Sequence, residues 1–373
     1  IMPPTTRAAI AHLSPIFLSA PLTTKKALKA IQSASTRRAN LIAFPESFIP
    51  AFPIWSSILS PTHNHHFFSA FAHSSIYVDG PEIASIRDAA REWGVAVSIG
   101  ISEKVRYSSA TLFNSNLIIG SNGEILVHHR KLQATFFEKL SWAAGDGYGL
   151  RVASLPSNSS GNSSSGSSIA NGAIRDPQND IRLGALICGE NTNPLARYSL
   201  MAQGEQVHIS TWPAIWPTRD ADAKKAESKG RNYDNVYANR TRAAAHCFEA
   251  KCFGMLAAGH LSAENVDAVA AMCEDGARVK GLLEGAPRAA SMFLDPTGAP
   301  MRGFSVDEGS GEEVEKEMLQ HEEGILYADL DVEACVEGKQ YHDVVGGYQR
   351  FDIFDLRVDR RRREPVTFTD GGV

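Results

Sequence analysis

No apolar run in this chain of 373 residues approaches the roughly 18 consecutive residues that a helix needs to cross a bilayer, so no membrane span is expected. Basic residues are not in excess either. With 37 Lys and Arg against 42 Asp and Glu the formal charge is −5, without the electrostatic footprint of a nucleic-acid binder. Cysteine is scarce: Cys188, Cys247, Cys252, Cys273 and Cys335 are five in number and show no framework spacing. An odd, irregular set argues against a disulfide scaffold and for free thiols in a reducing compartment, the cytoplasm. No secretory signal opens the sequence, so the sequons at Asn158, Asn162 and Asn239 are read as chance. No internal repeat is visible, which leaves out solenoids. What the chain does have is apolar substance: at 43% hydrophobic it can build one large α/β domain or two ordinary ones.

Taken in order, strand and helix patterns alternate. Ala8–Leu18 reads as a strand, and Thr24–Arg38 carries Ala27, Leu28, Ile31 and Ala34 at helical spacing. Asn40–Phe44 is a short buried strand that runs into Pro45-Glu46. Gly80-Pro81 opens a helix whose one face is Ile83, Ile86, Ala90 and Trp93, with Gly94 as its stop. Val95–Ile101, Thr111–Ile119 and Glu124–His129 read as strands; Asn122-Gly123 supplies the positive φ for a hairpin between the last two. Further strands are expected at Leu183–Ile187, Glu205–Ser210, Cys252–Ala258, Ser291–Leu294 and Ile325–Leu330, with helices at Leu195–Gln203 and Tyr233–Cys247. His63, His65 and His66 lack a cysteine or carboxylate at ligand spacing and read as a loop of solvated histidines. The Ser/Gly/Asn-rich segment 157–168 reads as a flexible surface insertion, and Glu312–Glu323 as an exposed acidic stretch. Tyr341, Tyr348, Phe351 and Phe354 suggest that the end of the chain packs on something.

Three residues stand apart because each directly follows a strand. Cys188 ends the Leu183–Ile187 run on a sharp turn, with Pro194 opening the next helix. It is either a small apolar residue closing a strand or a thiol whose pKa is lowered by nearby helix N–H groups. Glu46 is either an exposed acid or a buried carboxylate, which would be costly unless paired. Lys131, in His129-Arg130-Lys131-Leu132, precedes Thr135, Glu138, Trp142 and Gly145-Asp146-Gly147. If the ends of neighbouring strands bring these side chains to one sheet edge, they supply a base, a cation and a nucleophile, the parts of a covalent acyl-type mechanism. Lys131 between Glu46 and Glu138 stays charged, and its charge lowers the thiol pKa further.

The stretches Phe44-Pro45-Glu46, His129-Arg130-Lys131-Leu132-x-x-Thr135-x-x-Glu138, Trp142…Gly145-Asp146-Gly147 and Cys188-Gly189-Glu190-Asn191 resemble the signature blocks of the nitrilases within the carbon–nitrogen hydrolase superfamily. The resemblance runs from about Ala8 to Leu330, with a nitrilase-like tail beyond. Phe48-Ile-Pro-x-Phe52-Pro, Gly204-Glu-Gln-Val-His-Ile-Ser210 and the Cys-x-Glu pattern resemble the nitrilase and cyanide hydratase branch. What this implies is a four-layer αββα sandwich of α/β class, with a single hydrolase domain over residues 1–335 and an assembly tail over 336–373. It also implies Glu46 as general base, Lys131 as stabiliser of the intermediate, Cys188 as nucleophile and Glu138 as a second glutamate that positions Lys131 and water. Metal and organic cofactor are not expected; the partners implied are a small nitrile and other copies of the chain, as a homodimer or larger spiral homo-oligomer. Phe52, Trp142, Gly189, Trp212 and Trp216 are the candidates for the substrate pocket.

The sequence departs from the family pattern in several places. Ala134 stands where proline is usual, Ala143 where glycine is usual, the segment 157–168 is extra, and Gly346-Gly347-Tyr348-Gln-Arg350-Phe351 lacks the usual histidine and proline. None of these touches the four candidate catalytic positions. The reading is therefore a nitrile hydrolase that gives acid and ammonia. The alternatives are a cyanide hydratase or amidase of the same superfamily, and a catalytically silent nitrilase-like assembly protein.

Overall fold

The computed structural model describes residues 5–156, 180–216, 232, 234–307 and 309–366. The expected insertion at 157–168 lies outside the described residues.

In chain order the elements are β1 (Thr5–His12), α1 (Ala20–Thr36), β2 (Leu41–Ala43), α2 (His65–Ser74), α3 (Pro81–Trp93), β3 (Ala96–Lys104), β4 (Leu112–Ile119) and β5 (Ile125–Arg130). Then come β6 (Ala153–Leu155), β7 (Ile181–Ile187), α4 (Pro194–Met201), β8 (Val207–Trp212), α5 (Asn235–Ala250), β9 (Phe253–Ala258), α6 (Ala263–Ala271) and α7 (Gly276–Glu284). The last are β10 (Ser291–Leu294), β11 (Gly303–Val306), β12 (Glu313–Lys316), β13 (Met318–Leu319), β14 (Gly324–Asp331) and α8 (Ala334–Glu337). They form two sheets, ordered β12-β11-β14-β1-β2-β3-β4-β5 and β13-β10-β9-β8-β7-β6.

Four layers follow from where the apolar side chains go. Between the sheets, Ile10, Leu41, Ala43 and Val127 meet Leu183, Ile209, Met255 and Phe293. On the outer face of the first sheet, Ile42, Val97 and Ile99 pack on Ala27 and Ile31 of α1 and on Ile83 and Ile86 of α3. On the outer face of the second, Leu256 and Ala258 receive Ala243 and Cys247 of α5. Strands buried on both faces read as continuous apolar runs rather than alternating ones, as parallel strands flanked by helices do. Indeed β7, β8 and β9 are mutually parallel. This is the αββα sandwich expected from the sequence.

Helix ends obey local chemistry. Pro81 occupies the first turn of α3 and Gly94 closes it at φ +65°, the left-handed conformation that glycine takes without strain. The β4–β5 hairpin turns at Gly123, φ +80°. Several expectations are corrected. The first strand ends at His12 rather than Leu18, and the histidine segment is not all loop, because His65 opens α2. The acidic stretch is largely exposed, as expected, but it is not irregular. It contributes β12 and β13, and Leu319 is buried against β10. Among the tail aromatics, Tyr341, Tyr348, Phe351 and Phe354 are 63–73% exposed, so within the described chain little covers them. The arginine run packs instead: Arg362 donates to Asp146 and to the His128 carbonyl while its guanidinium lies over Tyr148, and the Arg363 N–H donates to Asp146.

Candidate active site

Glu46, Lys131 and Cys188 do meet, but not at one sheet edge. Glu46 follows β2 and Lys131 follows β5, strands of the first sheet with β3 and β4 between them, whereas Cys188 follows β7 of the second. Glu46 bridges the gap because the chain after β2 runs on beside β3, with Phe44 N–H donating to Ser98 and Ile49 N–H to Gly100. Gly100 permits that path, since a Cβ there would come within 2.5 Å of the Ser47 nitrogen and closer still to the Pro45 carbonyl. Glu46 thereby reaches Asn114 of β4, whose side-chain amide donates to its Oε1 at 2.7 Å.

Lys131 carries the β4–β5 ladder one step further, its N–H donating to the Asn114 carbonyl. Its ammonium donates to Glu46 Oε1 at 2.8 Å and to Glu138 Oε2 at 2.6 Å, and all three side chains are at most 1% exposed. Glu138 is held by a capping box: its Oε2 also accepts from the Thr135 N–H at the start of the short 3₁₀ turn Phe136–Leu140. Gly145 sits under the Lys131 loop, where a Cβ would strike the Arg130 and Lys131 carbonyls.

Cys188 opens another 3₁₀ turn at φ +50°, a strained conformation for a non-glycine residue that costs on the order of 1–3 kcal/mol. Two clamps impose it. The Asn191 amide donates to the Cys188 and Leu186 carbonyls, and Glu190 accepts from the Ile187 N–H. Glu190 also accepts from the Leu132 N–H and from His129, so one carboxylate fastens the end of β7 to the end of β5. Behind Asn191, its Oδ1 faces His208 Nε2 at 2.9 Å, while Glu205 accepts from His208 and from His246.

The electrostatics correct one expectation. Burial pushes the Cys188 thiol well up, and Glu46 pushes it further; Lys131 pulls it down but does not win. No helix terminus lowers it enough, because the turn is buried and the first of α4's residues lies beyond Asn193. The resting group is therefore a thiol, and it needs a base. Burial raises the Glu46 carboxyl, against the pull of Lys131, to about 7. Burial alone would lower Lys131, but the Glu46 and Glu138 carboxylates outweigh it and hold the ammonium charged. Glu46 Oε2 and Glu138 Oε1 are buried with no hydrogen-bond partner among the described residues.

One oxygen of each of these two carboxylates and the Cys188 sulfur lie within 4.8 Å of one another, a spacing that would suit a metal ion, yet the Lys131 ammonium already bridges the pair. Glu205, His246 and Cys252 form a second group of that kind, in which Glu205 is already hydrogen-bonded to His246.

A cavity of about 230 Å³ opens on Cys188, with Gly189, Trp212, Trp216, Asn235 and Arg242 among its walls. Trp216 packs against Phe137 with the rings tilted at 32° and their centroids 4.0 Å apart, and Phe52 packs edge-on to Trp216. Phe52 itself lines a narrower cavity of about 50 Å³ that borders Glu46. Trp142 lines neither: it is buried against Phe71 and Phe52, with its Nε1–H donated to Ser102. Sequence reasoning missed Asn114 and Arg242. An asparagine inside a strand and an arginine on a helix have bland readings, and only the fold turns them toward the site.

A family model described as carbon-nitrogen hydrolase matches residues 7–340. An arylacetonitrilase of Hypocrea virens is 29% identical over 366 residues, which cover 96% of this chain and 93% of that protein. A nitrilase of Penicillium rubens is 29% identical over 368 residues, covering 98% and 96%. The crystal structure of a carbon-nitrogen hydrolase from Helicobacter pylori superposes with a TM-score of 0.64 at 15% identity, covering 94% of this chain and 97% of that one.

Proposed function

The chain belongs to the carbon–nitrogen hydrolases, and from that premise we propose that it is a nitrilase, converting organic nitriles to the carboxylic acid and ammonia. The observation that carries the reading is the burial of one thiol, one ammonium and two carboxylates within reach of one another, beside a cavity that opens on the thiol. Relatives named as nitrilases and arylacetonitrilases across nearly the whole chain support the nitrile as substrate.

Glu46 takes the proton of the Cys188 thiol as sulfur attacks the nitrile carbon, and the nitrile nitrogen takes up that proton in the resulting thioimidate. Water activated by Glu46 then adds to the thioimidate carbon. The tetrahedral intermediate collapses with loss of ammonia to a thioester, and a second water releases the acid and restores the thiol. Lys131 is the preorganised cation beside each tetrahedral intermediate, where a fixed charge in a dry site acts most strongly. Glu138 holds Lys131 and, through its unpartnered oxygen, a water. Phe52, Gly189, Trp212 and Trp216 shape the substrate space, whereas the packing of Trp142 makes it a support for Phe52 rather than a wall.

Residues 1–335 act as the hydrolase unit, and the exposed aromatics of the 336–373 tail are a surface for assembly with further copies. Free thiols agree with a cytoplasmic setting. The test is product analysis on a nitrile panel with acid, amide and cyanide-derived formamide scored separately. Acid from organic nitriles is the expected outcome. A kcat/KM for cyanide above that for every organic nitrile would make the enzyme a cyanide hydratase, and faster turnover of the matching amides would make it an amidase.

A further inference from the structure

One charge at the cavity has no part in the chemistry above. Arg242, on the third turn of α5, is half-buried and lines the cavity that exposes Cys188. Its guanidinium lies over the Trp212 ring, 4.4 Å from the centroid. Stacking of this kind fixes the plane of the fork and leaves its outer Nη1–Nη2 edge to meet a planar anion. Nε donates to the Ala238 carbonyl at 3.0 Å and Nη2 to Asn239 Oδ1 at 3.1 Å, and no carboxylate among the described residues pairs with it. Sheltered arginines elsewhere hold one: Arg130 has Glu103, Arg197 has Glu249 and Arg362 has Asp146. Arg182 and Arg288 also bond only to carbonyls, but neither faces the cavity of Cys188.

The charge balance says what such a cation is for. With the thiol neutral and Glu46 ionised, as it must be to act as base, two carboxylates stand against the one Lys131 ammonium next to the substrate space. That field repels an anionic substrate unless a cation lies on the far wall. Arg242 supplies that cation, and its charge is felt at Cys188, where it opposes the upward push on the thiol. The rest of the lining includes the apolar Trp212, Trp216 and Pro213. A cavity of 230 Å³ holds about eight water volumes, enough for a short-chain molecule with a reactive end and a charged end.

We propose that Arg242 is the recognition residue for an anionic group on the substrate, so that the preferred nitriles are short cyano-carboxylates, with the nitrile at Cys188 and the carboxylate on the guanidinium. The proposal rests on the nitrilase reading. It is tested with cyanoacetate, 3-cyanopropanoate and 4-cyanobutanoate, each paired with the neutral nitrile in which an isopropyl group replaces the carboxylate. At the best chain length the wild-type kcat/KM should favour the anion at least tenfold. Arg242→Gln should cut that ratio by about thirtyfold, mostly through KM, and Arg242→Lys, which keeps the charge but loses the fork, should fall between. Arg242→Lys also serves if the glutamine variant does not fold.

Preference of the wild type for the neutral member at all three lengths would overturn the proposal. So would an Arg242→Gln effect equal on both members of a pair, which would make the arginine a general electrostatic support for the thiol. If no nitrile of either kind is turned over, the nitrilase reading fails instead. Alkylation of Cys188 by iodoacetate and by iodoacetamide, followed by intact mass, then decides the anion site alone. A fall in the iodoacetate-to-iodoacetamide rate ratio in Arg242→Gln upholds it, and an unchanged ratio rejects it.

Discussion

Two of the buried charge clusters among the described residues, one at Lys131 and one at Glu205, are built on opposite principles. Around Lys131, Glu46 and Glu138 each give one oxygen to the ammonium and keep the other unpartnered. Around Glu205, one oxygen accepts from His208 and the other from His246, and the two rings stack 3.6 Å apart. Burial would raise Glu205, but the two histidines hold it down to about 2. Glu103 and Glu190 follow the Glu205 pattern, with both oxygens engaged. The difference teaches how to tell a site from a strut. A buried unmet acceptor costs about 1–3 kcal/mol, and it persists where the oxygen is kept for a water or a substrate. A saturated carboxylate has nothing left to offer a ligand and serves to hold strands in place.

The sharpest test sets the clusters side by side. Cys188→Ala should abolish turnover and leave the melting curve near wild type, since the residues differ little in size; a variant retaining a tenth of wild-type rate would remove the thiol from the mechanism. Glu46→Gln should lower kcat about 10³-fold or more, again with Tm little changed. Glu205→Gln should do the reverse. It loses one histidine contact in a dry interior, destabilises the fold by about 1–3 kcal/mol and leaves the rate per folded molecule within a few-fold. A large loss of kcat in folded Glu205→Gln would erase the distinction between the clusters.

Lys131→Gln comes next, with a loss of about 10²–10³ in kcat. A normal kcat with a raised KM would make Lys131 a binding residue. The pH response should then differ in direction between the clusters. Glu46 must be ionised to accept the thiol proton, so kcat/KM should rise with pH through about 7. Glu205, depressed to about 2, contributes stability that is complete above its unfolded value near 4.5 and is lost as pH falls below it, which denaturant titration between pH 6 and 3 reads directly. The smallest effect belongs to Trp142→Phe. It forfeits the bond to Ser102 and about 1 kcal/mol of stability, with activity changed less than threefold because the ring does not border the cavity of Cys188.

Much of this arrangement is legible in the sequence, and the rest is hidden for physical reasons. Glu138 is singled out by the family resemblance; the capping box that its Thr135-x-x-Glu138 spacing makes is seen only in the fold. Asn122-Gly123 and Gly94 punctuate the chain where the backbone turns left-handed or nearly so. The Gly204–Ser210 motif contains both Glu205 and His208, although spacing alone does not say that they pair. Strand periodicity cannot report which sheet a strand joins, so the placement of Cys188 on a different sheet from Glu46 and Lys131 was out of reach. Depth was invisible too. A cysteine at a turn has a lowered pKa when helix N–H groups and a cation dominate, and a raised one when burial does, as here. Helices α6 and α7 escaped because short, mixed faces carry little periodic signal.

The split of the site between two sheets has a consequence for how the site is assembled. Glu46 and Lys131 lie on one sheet and the Cys188 sulfur on the other, and Glu190 fastens the two only once both are in place. The first sheet is itself incomplete until β14, residues 324–331, pairs with β1. The contact of Glu46 and Lys131 with Cys188 therefore exists only where both sheets are formed and packed together: either sheet alone holds the sulfur or the carboxylate and the ammonium, never all three.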